Sequence, residues 1–167
     1  MEALFPGLYH VPNLHPLFVH FPVVLWVLAP LFLVVGTLRD RAGLVASGRW
    51  LLYLGAAASV IALATGYLAT DAMDHNAPGH EFVHYHKNFM IAAPVSGAVA
   101  AAAAFALRRR AEVLYRWIVV GLAVGTMATT MLGADRGAEL VYRHGIGTPG
   151  AAMAPADAAA PSSTHGD

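Results

Sequence analysis

In a chain of 167 residues, 57% of positions are hydrophobic, 12% are charged and the mean hydropathy is +0.57, which excludes an ordinary soluble domain and asks for lipid as solvent. Formal charge balances at zero, so neither nucleic-acid binding nor a polybasic membrane tether is indicated. The absence of cysteine removes disulfides, thiol nucleophiles, Cys-ligated zinc, iron–sulfur clusters and covalent c-type haem, and leaves nine histidines as the plentiful ligand-type side chain.

A bilayer core of about 30 Å requires roughly 20 apolar residues of helix. Four stretches meet that length, at 17–38, 50–70, 88–107 and 113–134. None alternates with period two, so a barrel is excluded and an all-α integral membrane four-helix bundle over residues 1–147 is expected. No Lys or Arg precedes the first stretch and it is longer than a cleavable apolar region, so it is read as a permanent helix. Pro22, Pro30 and Pro94 fall inside spans, where neighbouring helices can satisfy the carbonyls they free. Small residues four apart, Gly55 with Ser59, Ala62 with Gly66, Gly97 with Ala101 and Gly121 with Gly125, mark faces for close helix approach. Residues 148–167, rich in Ala, Pro and Ser, cannot build a core and are expected to be a disordered tail, with His165 incidental.

Orientation is set by the short loops. Arg39, Arg41, Arg49, Arg108, Arg109, Arg110 and Arg116 all lie at the turns between the first and second and between the third and fourth spans, whereas Lys87, Arg136 and Arg143 lie at the opposite end. The positive-inside rule then puts both termini and the loop 71–87 outside, in the periplasm if the membrane is a bacterial inner membrane.

On this topology His10, His15, His20, His75, His80, His84, His86 and His144 all fall on the outer side. Imidazole binds zinc, copper and haem iron. The spacing contains no His-Glu-x-x-His motif and no compact zinc pattern, so ligands from separate helices fit better. His15 and His20 differ by about 140° around a helix and cannot share one small ion. A haem b held by two histidines from facing helices needs such an arrangement, with His20 on the first helix and His86 or His84 on the third as the leading pair. The alternative for His20 is a hydrogen bond to a carbonyl freed near Pro22, and for His84 and His86 a wet helix end. Anionic propionates would seek cations, and Lys87, Arg136 and Arg143 are the candidates on that side, although Arg136 and Arg143 are also spaced to pair with Asp135 and Glu139. His144 can take part only if the chain bends back at the glycines beyond the fourth helix.

The segments Leu14-His15-Pro16-Leu17-Phe18-Val19-His20-Phe21-Pro22 and Glu139-Leu140-Val141-Tyr142-Arg143-His144-Gly145-Ile146-Gly147 resemble a bacterial family of predicted four-helix membrane proteins catalogued as a domain of unknown function. The resemblance covers about 13–147. It implies company with c-type cytochromes and hence a redox setting, and it marks His15, His20 and His144 as motif positions without saying what they bind. Three functions are therefore expected to compete. The first is a small b-type cytochrome-like subunit that relays electrons between quinol and a periplasmic cytochrome or respiratory complex. The second is a copper- or zinc-handling membrane protein, with Met73, Asp71 and Asp74 as further donors. The third is a structural or assembly subunit without cofactor. No inner-side histidine is available for a second haem, so transmembrane electron transfer by this chain alone is not expected. A transporter and a cofactor-free hydrolase find no support, because the spans hold no mid-depth charge and Ser59 and Ser96 have no base nearby in sequence.

Overall fold

The computed structural model describes residues 4, 13–71, 80–110 and 112–146, His80 by its backbone alone. They form four helices, α1 (His15–Leu38), α2 (Ala42–Asp71), α3 (His80–Ala106) and α4 (Val113–Tyr142), with no strand among the described residues. All four are long and apolar enough to cross a membrane. The helices run past the apolar stretches, α2 starting eight residues before residue 50 and α4 ending eight after residue 134. Hydrocarbon excludes charge only from a helix's middle, and the ends continue into the interface carrying Arg49, Arg136 and Glu139.

Local chemistry explains the ends. Asn13 accepts a hydrogen bond from the His15 amide at 3.1 Å, and Pro16 stands in the first turn, where its missing N–H costs nothing. α1 stops at Arg39–Arg41. There Asp40 takes a left-handed φ of 47° and Arg41 N donates to Gly36 O at 2.8 Å, so the chain reverses in three residues. A Cβ on Gly36 would sit 2.7 Å from Val45 N, which shows how closely the two helices meet at this hairpin.

α1 packs on α2 and α4, and α3 packs on α4 and α2, giving an up-down-up-down bundle with α1 and α3 at opposite corners. Trp26 is the hub of the core. Its ring, 1% exposed, lies over Gly55 of α2 and Gly97 of α3, where a Cβ would enter the indole. Ala29, Leu33, Leu52, Ala100, Ala104 and Ala123 continue the buried seam. Large aliphatic residues such as Leu31, Val60, Leu68 and Val95 face outward, as a lipid-solvated bundle requires. Ser59, Thr126 and Thr130 are buried, each with its hydroxyl donated to a carbonyl of its own helix, so no polar core group of these three needs water.

The two ends of the bundle differ. At one, Arg116 pairs with Asp40 at 2.6 Å and Arg49 donates to Arg108 O at 3.2 Å, tying α4 to the first hairpin turn and α2 to the second. At the other stand the histidines.

Candidate functional site

Two imidazoles are held in closely similar ways at the histidine end. His15, the first residue of α1, donates from Nδ1 to Ala62 O of α2 at 3.0 Å, with Thr65 Oγ1 at 3.3 Å, and its ring lies against Gly66. His86 of α3 donates from Nδ1 to Gly133 O of α4 at 2.9 Å, and its ring lies against Gly137. A carbonyl can only accept, so both rings carry the proton on Nδ1 and keep the lone pair on Nε2, the nitrogen a metal would use. The seats are specific to glycine. A Cβ would stand 3.0 Å from His15 Cε1 at position 66 and 2.9 Å from His86 Cε1 at position 137. Both rings are half-buried, and they lie near enough to interact electrostatically.

The remaining expected residues are placed differently. His20 is exposed, and its Nδ1 donates to Pro16 O, one turn back on its own helix. It faces away from His15, as their five-residue separation dictates. The geometry therefore brings together His15 and His86 where His20 with His86 or His84 was expected. His84 lies on the exposed side of α3, two residues from His86 and thus on nearly the opposite face. His144 does return to the bundle. Gly145 adopts φ 65° while Gly145 N bonds Val141 O and Ile146 N bonds Leu140 O, both at 3.0 Å, and the bend lays the His144 ring on Phe82 of α3 with centroids 4.3 Å apart. Its Nε2 is buried with no hydrogen-bond partner among the described residues.

Among the candidate cations, Arg136 and Arg143 both grip Glu139, at 2.8 and 3.1 Å, so the local pairing is made. Lys87 places its Nζ 4.6 Å over the Tyr67 ring, joining α3 to α2 beside His86. His10, His75 and His165, with Met73, Asp74 and the tail 148–167, lie outside the described residues, and the side chain of His80 is not described. Among the described residues no group of three or more His, Cys, Asp or Glu side chains converges as a metal cage would need.

Gly66, Gly133 and Gly137, with Ala62, are the site residues that histidine spacing alone does not single out. Ala62 and Gly66 appear in the sequence as a small-residue pair, and Gly133 and Gly137 repeat that four-residue spacing on α4.

A family model matches residues 11–150, which take in all four helices, under the description "Predicted membrane protein (DUF2231)". The chain belongs to the DUF2231 family. The family description assigns membership and a membrane location, and no reaction, to its proteins. No curated protein and no solved structure matches the chain.

Proposed function

We propose that this DUF2231 protein is a small multi-pass subunit of a bacterial inner membrane that binds haem b at its histidine end, faces that end to the periplasm, and exchanges electrons with a c-type cytochrome or respiratory complex, with quinone as a further redox partner. One observation carries the reading. Two half-buried imidazoles from opposite helices of the bundle are both locked with Nδ1–H on a backbone carbonyl, a hydrogen bond that orients histidine ligands and raises their basicity.

The donor set favours haem over a lone ion. Zinc and copper sites draw three or four ligands from protein, and no such group forms among the described residues, whereas iron in a porphyrin would ask the protein for only two donors. When bound, haem supplies a one-electron ferric/ferrous couple, and the protein's part is to bind, orient and insulate it. His15 and His86 would supply the lone pairs that hold it, Ala62 and Gly133 fix their tautomers, and the apolar seam running from Trp26 keeps water from the bundle's middle. Lys87 is the cation nearest in sequence to the pair and forms no ion pair among the described residues, which suits it to an anionic propionate better than Arg136 or Arg143. Seven arginines at the other end support the periplasmic orientation of the histidines.

The same two hydrogen bonds support a second reading, in which the imidazoles are clasps between α1 and α2 and between α3 and α4 and bind nothing. A visible spectrum of detergent-purified protein separates the two: a Soret band and a reducible alpha band are expected for haem, and their absence from protein expressed with haem available leaves only the clasp. Impermeant thiol labelling of Cys introduced at Arg109 and at Tyr85 checks the orientation, with Tyr85→Cys expected to react from outside.

A further inference from the structure

The two histidines belong to a repeat that few residues betray. His86 follows His15 by 71 positions, and the same offset carries Ala62 onto Gly133 and Gly66 onto Gly137. Donor, acceptor and seat therefore recur as a set. The offset also carries the whole of α2 (Ala42–Asp71) onto α4 (Val113–Tyr142), end for end. Burial follows it as well: Ala29, Leu33 and Leu52 fall on Ala100, Ala104 and Ala123, and all six are at most 1% exposed. Packing obeys it, since α1 on α4 and α2 on α3 are exchanged by the same operation. Because each repeat contains two helices, α1 and α3 run the same way, so the operation is a two-fold rotation about the bundle axis, as in parallel repeats related by an axis along the membrane normal.

A two-fold axis restricts what can lie between His15 and His86. A residue on the axis meets its own counterpart, and side chains of ordinary size cannot both occupy that space. The core resolves this by breaking the symmetry, with Trp26 filling the room that its counterpart Gly97 leaves. At the histidine level both counterparts remain imidazoles, each tautomer set to leave Nε2 open. Two equal donors, with no third His, Cys, Asp or Glu converging on them among the described residues, suit a planar ligand that presents two equivalent faces.

We infer that the chain is a tandem duplication of one helical hairpin and that a single iron porphyrin is gripped on the pseudo-two-fold axis between the copies, with His15 and His86 as its equivalent axial ligands. The inference rests on the haem reading above and adds the stoichiometry, the ligand pair and the equivalence of its members. The repeat carries His20 onto Ile91 and His84 onto Asn13, so neither is matched by a second imidazole. Both stay outside the ligand set.

The test is titration of the detergent-purified full chain with ferric protoporphyrin IX, read by absorption and electron paramagnetic resonance. Saturation at one porphyrin per chain with a six-coordinate low-spin spectrum is expected. His15→Ala and His86→Ala each give a five-coordinate high-spin species with affinity lowered at least about tenfold, by similar factors, and millimolar imidazole restores the low-spin spectrum in both. His20→Ala and His84→Ala keep the parent spectrum. His15→Met and His86→Met, which retain an axial donor, guard against misfolding by remaining six-coordinate with an altered spectrum. Two porphyrins per chain, or a low-spin spectrum that survives loss of either imidazole, overturns the shared-axis site while the haem reading stands. A wild-type chain that binds no porphyrin overturns both.

Discussion

Substituting Ala for Gly66 and for Gly137 probes the site without removing either imidazole. The added methyl would stand 3.0 Å from His15 Cε1 or 2.9 Å from His86 Cε1, several tenths of an ångström inside ordinary contact, and each ring is held to the helix that carries the methyl by an Nδ1 hydrogen bond of 3.0 or 2.9 Å. Relief means pushing the ring and stretching that bond past about 3.2 Å, where it weakens steeply. Overpacking of this kind costs roughly 1–3 kcal/mol. Gly→Ala within a helix returns about 1 kcal/mol through propensity. Gly121 and Gly125 serve as internal standards, because a Cβ at either meets nothing within 4 Å and only the propensity gain remains. Gly66→Ala and Gly137→Ala should therefore be less stable than Gly121→Ala and Gly125→Ala by about 1–3 kcal/mol, measured by unfolding in mixed micelles followed by circular dichroism. The imidazole ¹⁵N shifts should also report loss of the Nδ1–H tautomer in the first pair alone. If all four variants unfold together and the His15 and His86 shifts do not move, the rings are not seated as described.

Two further outcomes follow from the packing. Trp26→Ala empties the contacts over Gly55 and Gly97 and should cost about 3–5 kcal/mol by the same unfolding assay, while Trp50→Ala, on a side chain 63% exposed, should change stability far less. Asp40→Asn removes the carboxylate that Arg116 holds, but Asp40 is 87% exposed, so the loss should stay within about 1 kcal/mol and shrink further in high salt.

Four apolar stretches of about 20 residues announce four spanning helices, since no soluble core of this size demands them and lipid tolerates no other open backbone. The helix ends are less legible. Arg49 and Arg136 interrupt apolar runs but not helices, because interfacial turns tolerate charge that the hydrocarbon does not. That histidines cluster at one end is equally plain from their positions. Which of them meet is not. His20 stands inside the apolar run and looks the more committed to the membrane, yet its helix turns it outward, and His15, at the very start of α1, is the one that reaches α2. The repeat escapes notice because most aligned positions differ in identity, as Trp26 and Gly97 do, while agreeing in burial. Burial is a property of the packed bundle, and residue identity is a loose record of it in lipid, where Leu, Val, Ala and Phe serve both faces.

From the amino-acid order alone come the class, the number of spans and the end that carries imidazole, because each depends on the summed transfer energy of long segments and on charge at their flanks. The rotational setting of α1 and α3, and with it the pairing of His15 and His86 on matching carbonyls and glycines, is decided by packing. The phase of each helix about its own axis follows from where Trp26, Gly55 and Gly97 interlock, and that fit exists only once the helices are side by side.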